Sequence, residues 1–534
     1  MLEKPGLKRG LTLLDAVMFG VGGAIGSGWL FAAATSSGYA GPAEVGSWLI
    51  AAVMIIIITL PYAEYGGMMR SAGVSAKFGY YSHGNYAGFL GGWAIFLWTV
   101  MIPPIEAVAV AEYAAYYAPW IYNSTTGLLT PAGVGVAILL MLLFMGLNYA
   151  GVNYVGRFNT ALTFLKVIVP SVTIVMALVF LFHAGNFVSL KGGFAPFGLT
   201  GVVIAIPATG ILFSFGGYRQ VADMAGEIKN PQRNVPRAVI LTLLIQSVVY
   251  VLASASFIGA LDWSKLGIAP GDWASVATMK SPYATLFSAG AASATGALAA
   301  LLSAWVVVLL VTAIYSPAGT LGLYLTGGAR IIYGFSEMKT FPSVFTKVTR
   351  RGAPWNALIL AFILGVLFMV PYPSWVTLVD FVVVAASANF ALAAVSLPVL
   401  RTLYPDTDRP FKLPYASAWS FVAFVASSLL IYWATWPVTG YALTATIAGS
   451  VIYGFYHFKQ KLDVKHIKSG LWFPVFLLFI LIMSYVGGKP TGGLGVVPYP
   501  YDILVLVIAD IAFYFWGIGS RLKKRELEIS SNPD

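Results

Sequence analysis

The sequence predicts an all-α integral membrane protein, a five-plus-five inverted repeat with broken spans 1 and 6, plus four C-terminal spans. Three observations carry this expectation. The 534-residue chain is 59% hydrophobic and only 10% charged, with a mean hydropathy of +0.82, whereas soluble domains carry roughly a quarter charged residues. Fourteen windows reach the roughly 20 apolar residues that a membrane-crossing helix needs. Two of those windows are interrupted at mid-depth, the first by Gly20 to Gly28 (GVGGAIGSG) and the sixth by Ser214 to Gly217.

The windows begin near Leu13, Ala43, Tyr86, Pro131, Phe158, Thr200, Ala238, Ala291, Trp355, Trp375, Ala418, Gly440, Leu471 and Tyr501. An even number of crossings puts both ends on one side, and the excess of lysine and arginine in short cytoplasmic loops says which side. Most of the 31 lysines and arginines fall in the tails and even-numbered loops: Lys4, Lys8, Arg9, Arg70, Lys77, Arg157, Lys229, Arg233 and Arg237, then Arg330 to Arg351, Arg401 to Lys412, Lys459 to Lys468 and Arg521 to Arg525. Lys191, Lys265, Lys280 and Lys489 fall opposite. A multi-pass protein of the cell membrane with both termini cytoplasmic is the expectation. The sequon Asn123-Ser124-Thr125, in the outer loop after span 3, agrees with it. The net charge of +11 then follows from topology and contact with membrane lipids, and a nucleic-acid partner has little left to explain.

Spans 1 and 6 are five crossings apart, an odd number, so the two halves sit upside down relative to one another. Residues 1-199 form the first repeat (spans 1 to 5), 200-400 the second (spans 6 to 10), and 401-534 the appended spans 11 to 14 with the tail. The appended spans hold few charges, Asp502 and Asp510 in the last, which suits lipid contact or association. The first segment lacks a small-residue cleavage site and reads as a retained span, not a cleaved signal. The chain has no cysteine, hence no disulfide, thiolate metal site or cysteine nucleophile. No Ser/His/Asp arrangement, HExxH or phosphate loop is present and the histidines form no metal cluster, so no cofactor or metal is expected and intramembrane protease, hydrolase and ATP-driven pump are argued against.

Irregular backbone at membrane depth survives only where protein buries it or it lines a cavity, and paired broken spans point to a binding site. Opening a helix frees amide donors at the start of one half and carbonyls at the end of the other. An amino acid, with an anion and a cation on one carbon, matches that pattern. Amides around Gly26, Ser27 and Gly28 are expected to hold the carboxylate, carbonyls near Gly23, Ala24, Phe213 and Ser214 the ammonium, and Phe215 and Tyr218 an aromatic cover. The alternative is that these glycines only pack helices together.

Four charged positions stand apart. Lys166 lies about 12 Å into span 5 at 1.5 Å per residue, and an intramembrane lysine is a functional candidate by default, the alternative being snorkelling to the cytoplasmic face. Arg219 directly follows the second break; it either meets a substrate side-chain carboxylate or pairs with Asp223 at i+4. Asp15, beneath the first break, either closes an inner gate with a basic partner or pairs with Lys8 or Arg9. Glu64 ends span 2, while Glu106 and Glu112 on span 3 read as structural pairing partners.

The stretch Phe213 to Ala238, FSFGGYRQVADMAGEIKNPQRNVPRA, resembles the span 6 signature of the amino acid-polyamine-organocation superfamily of permeases, a broken helix running into Glu227 and then Lys229, Asn230, Pro231, Arg233 and Pro236. Leu13 to Gly28, Pro61 to Tyr65 (PYAEY) and the basic loop within Ala329 to Pro354 agree, so the resemblance covers about the first 400 residues in order. It implies a LeuT-like fold, with fourteen spans as in some branches, and secondary active transport of amino acids by alternating access around spans 1, 3, 6 and 8. It further implies that Lys166 stands where sodium-coupled relatives hold an ion, so that protons, rather than sodium, are the coupling partner. The chain departs from the pattern at Arg219, where many members have an acidic residue. Exchange of amino acids, or amine or polyamine transport, is the alternative within transport, and a channel or transport-derived sensor the alternative outside it.

Overall fold

The computed structural model describes residues 10–69, 74–150, 152–190, 192–225, 227–337, 341–349, 354–409, 411–458 and 464–522. Basic residues used above for orientation, including Lys4, Lys8, Arg9, Arg70, Lys191, Lys339, Arg350, Arg351 and Lys459, lie outside them. Each of the fourteen windows falls on a helix. Span 1 comprises Leu13–Ala24 and Gly28–Ala40, followed by Glu44–Met69, Asn85–Ala114, Pro131–Ala150 and Val152–Phe180 for spans 2 to 5. Span 6 comprises Gly198–Ala208, Ile211–Ser214 and Tyr218–Asp223. Spans 7 to 10 are Pro231–Gly259, Gly296–Glu337, Trp355–Met369 and Trp375–Leu403, and spans 11 to 14 are Ala416–Trp433, Val438–Phe458, Trp472–Val486 and Tyr501–Gly519.

By length and hydropathy, 11 helices among the described residues are sufficient to cross a membrane, or up to 12 with the bent pair of span 6 counted. The difference from fourteen has a physical origin. The first helix of span 1 is cut short by its break, Gly28–Met69 runs as one apolar stretch of 42 residues, and Trp355–Met369 is shorter than a full crossing. The window predicted to open span 8 near Ala291 instead begins inside a separate outer helix, Pro282–Ser293.

Spans 3 and 10 are central. Their most apolar windows are 100% buried, against 28% for spans 4 and 14, so the outer helices turn most of their apolar surface outward, as a lipid-facing helix must. The sequon lies on an exposed turn between two short antiparallel strands, Tyr122–Asn123 and Leu128–Leu129, with Asn123 accepting from the amides of Thr125 (2.9 Å) and Thr126 (3.2 Å).

Two ties hold one end of the bundle. The segment before span 1 pairs with the segment after span 6 through main-chain bonds: Gly10 and Leu11 donate to the Glu227 carbonyl (3.0 and 3.1 Å), and Lys229 donates to the Leu11 carbonyl (2.8 Å). This parallel bridge holds the start of span 1 and the end of span 6 together. Next, Asn230 adopts φ +47 and Pro231 opens span 7, a position where the missing N–H costs nothing and the fixed φ suits a helix start.

The second tie is Glu64. Fully buried at the end of span 2, it accepts from Arg401 Nε (3.0 Å) and Nη2 (2.6 Å) and from the Leu413 amide (3.0 Å), with Arg409 Nε 3.3 Å away. Removing one partner of a buried pair leaves charge uncompensated, so Arg401→Met is expected to destabilise the protein by on the order of 3 kcal/mol. Thermal unfolding in detergent checks this; an unchanged melting temperature would show that Arg409 alone suffices.

Candidate functional site

Both predicted breaks are present, the first narrower than its run of glycines and the second joined by a further bend at Gly210. In span 1 the helix continues through Gly20, Gly22 and Gly23 and stops at Ala24. A side chain at those three positions would strike Thr242 and Val221, Thr163 and Gln220 respectively, so the glycines admit close neighbours while the helix persists. The chain opens at Ile25 to Ser27, with Ile25 donating to the Val21 carbonyl (3.0 Å) and Gly26 to the Ala24 carbonyl (2.8 Å). Span 6 is interrupted twice. It bends by 47° at Gly210, whose φ of +88 suits glycine, and turns again through Phe215 to Gly217. Gly210 also admits the ring of Trp375, which a side chain there would strike. The breaks meet face to face: a side chain on Gly28 would strike the Ser214 hydroxyl.

The expected ligand groups divide. The Gly26 amide is taken up by its own turn and the Ser27 amide faces Glu106, while Gly28 opens the second half-helix of span 1. Among the expected carbonyls, Ala24 also accepts from Tyr250 (3.4 Å), while Phe213 accepts from the Gly216 amide (3.1 Å). The Ser214 hydroxyl donates back to Gly210 (2.8 Å). Gly23 faces Gln220. Phe215 does not cover the break, because its ring packs with Trp48 and Tyr250 of spans 2 and 7. Tyr218 packs with Tyr62 and Phe390 of spans 2 and 10. The rings packed at the break are instead those of Phe213, Trp98 and Trp375.

Trp375 is fully buried at the start of span 10. Its indole N–H donates to the Ser27 hydroxyl (2.7 Å) and its amide to Glu112 (3.0 Å). The ring stacks on Phe31 at 5.1 Å and meets Phe213 edge-on at 6.2 Å. It therefore wedges between the outer halves of both broken spans.

Lys166 does not snorkel. It is fully buried and donates from Nζ to the Gly22 carbonyl (3.1 Å) and the Thr320 hydroxyl (3.0 Å), linking span 5 to spans 1 and 8. Ser316, one turn earlier on span 8, donates to the Ile25 carbonyl (2.9 Å) and so secures the opened segment. Glu106 is fully buried, the Lys166 ammonium is its neighbouring cation, and a side chain on Gly26 would strike Oε1. It stands within reach of the Ser27 amide and hydroxyl, where a substrate carboxylate is expected.

Asp15 is exposed and closes a capping box with Thr12, accepting from the Thr12 amide (2.9 Å) and hydroxyl (2.7 Å). Its expected partners Lys8 and Arg9 lie outside the described residues. Arg219 is buried and does not pair with Asp223 among the described residues. Asp223 accepts instead from the Ser75 amide (3.0 Å), and Arg219 lies over Trp98 at 5.3 Å.

Two broken helices meeting break to break, with buried charge around the junction, define a membrane carrier with a central ligand site. The chain belongs to the amino acid permease family, whose description matches residues 11–457. It is 35% identical over 523 residues to the glutamate/serine transporter AimA of Bacillus subtilis, covering 96% of this chain and 94% of that one. It is 30% identical to the aspartate-proton symporter of the same organism, over 99% of both chains, and 27% identical to the branched-chain amino acid permease BcaP, over 85% of this chain and 94% of that one. The protein is thus an amino acid transporter of the APC superfamily and not an enzyme.

Proposed function

We propose that the protein takes up amino acids together with protons by alternating access, in a cell membrane with both termini cytoplasmic. In this reading residues 1-199 and 200-400 are the inverted halves and 401-534 an accessory unit. The observation that carries it is the buried carboxylate of Glu106 beside Ser27. A substrate carboxylate and Glu106 compete for the same place, and two like charges in a dry site disfavour each other. Substrate therefore binds with Glu106 protonated, and the proton travels with it. The buried ammonium of Lys166 holds the carbonyl of Gly22 from the position where sodium-coupled relatives carry their ion, which supports protons over sodium. The aspartate-proton symporter, similar over its whole length, supports the same coupling.

Proteoliposomes test this directly. An acid-outside pH gradient is expected to drive accumulation of labelled amino acid above equilibrium, indifferent to sodium. An exchanger accumulates only with substrate preloaded inside, and a channel or sensor does not accumulate it at all. Glu106→Gln keeps the shape and removes the exchangeable proton, so gradient-driven accumulation is expected to fall at least about tenfold while binding survives. Wild-type accumulation by Glu106→Gln would remove Glu106 from the coupling step. The relatives' names span acidic, neutral and branched-chain substrates, so they leave the side chain of the substrate open.

A further inference from the structure

Arg219 is only 5% exposed, yet Nε and Nη1 have no hydrogen-bond partner. No carboxylate among the described residues lies within ion-pair distance of it: Asp223 is turned to Ser75 and Glu106 faces Ser27. A guanidinium in a dry interior normally has its donors filled, because each one left open costs free energy. Here the donors are open beside another unfilled group. The Tyr218 hydroxyl is likewise buried and unpartnered, while the side chains of Trp98 and Gln220 face the Tyr324 hydroxyl.

Trp98 connects this cluster to the breaks. Its ring carries the Arg219 guanidinium at 5.3 Å and lies 5.9 Å from the Phe213 ring. A side chain on Gly216 would come within 2.7 Å of its Cζ2. The unfilled cation thus adjoins the opened backbone of span 6 through one aromatic plane. A neutral amino acid seated at the breaks leaves Arg219 bare. A dicarboxylic one brings a second carboxylate that the planar fork can grip with two parallel N–H bonds, while the indole holds the guanidinium flat.

We propose that Arg219 and Trp98 form the subsite for the side-chain carboxylate of an acidic amino acid, so that the protein selects dicarboxylic over neutral substrates. The proposal rests on the central amino acid site described above. Arg219 binds; Trp98 positions it.

Equilibrium binding of labelled L-aspartate, L-glutamate and L-serine to the purified full chain at fixed pH tests the subsite without reference to coupling. Arg219→Gln is expected to raise the Kd for the two acidic amino acids at least about tenfold and to leave that of serine within about threefold. Trp98→Phe, which retains a ring but weakens the stacking face, is expected to weaken aspartate severalfold without changing serine, and it serves as the test should Arg219→Gln fail to fold. Equal weakening of all three ligands, or unchanged aspartate affinity in the folded variants, overturns the subsite while leaving amino acid transport intact. Failure of the folded wild-type protein to bind any of the three overturns the central site as well.

Discussion

Lys166→Ala is expected to abolish proton-driven accumulation, to below about a tenth of the wild-type level, while substrate exchange persists. The ammonium is fully buried, and its two hydrogen bonds reach a span 1 carbonyl beside the break and a hydroxyl on span 8. Alanine removes both bonds and the charge, so nothing reports the protonation of Glu106 to the opened segment. The structural cost is the smaller part, roughly 1–3 kcal/mol for the acceptors left unfilled, which a stable membrane protein survives. Counterflow and gradient-driven uptake, measured side by side in proteoliposomes, separate the two effects. Accumulation at the wild-type level would exclude Lys166 from coupling, and sodium-driven uptake by the native protein would count equally against its role.

Gly26→Val is expected to eliminate binding, by more than about a hundredfold in Kd, in a protein that still folds. Glu106 occupies the space beside this glycine so closely that even a Cβ would strike its carboxylate. A branched side chain would displace Glu106, crowd Ser27 and fill the place where the substrate carboxylate seats. Gly26 lies in the opened segment rather than in either half-helix, so the substitution acts on the site before it acts on the scaffold. Ligand-induced thermal stabilisation reads the loss directly, since a ligand at 100 times its Kd adds about 2.7 kcal/mol. Full stabilisation of a folded Gly26→Val protein would move the carboxylate site away from span 1.

The sequence disclosed what is local. Apolar windows gave the helices because a helix in lipid satisfies its own backbone, and Lys166 stood out as a lone charge within one of them. The breaks were visible, but not the narrowness of the first or the second bend of span 6, since a glycine that admits a neighbour and a glycine that opens a helix look alike until the neighbour is known. Gly20, Gly22 and Gly23 are of the first kind; Gly210, unremarked in an apolar run, is of the second. Long-range partners were out of reach. Trp375 and Ser27 are 348 residues apart, and Arg401 and Glu64 are 337 apart. Glu106 read as structural because glutamates at membrane depth usually find a cation; that the cation is Lys166, and that Ser27 of the break stands beside it, came only with the coordinates. Arg219 stood between two possible partners, and that Asp223 turns to Ser75 instead could come only from coordinates.

The parallel bridge between Leu11 and Ile228 uses main-chain atoms alone. The start of span 1 and the end of span 6 therefore share one handle, and whatever tilts one of these half-helices carries the other with it. Such a coupling is blind to side-chain chemistry. An alanine scan of this face would pass over it in silence, and the linkage would come apart only where a proline at Leu11 or Lys229 removes a donor from the backbone itself.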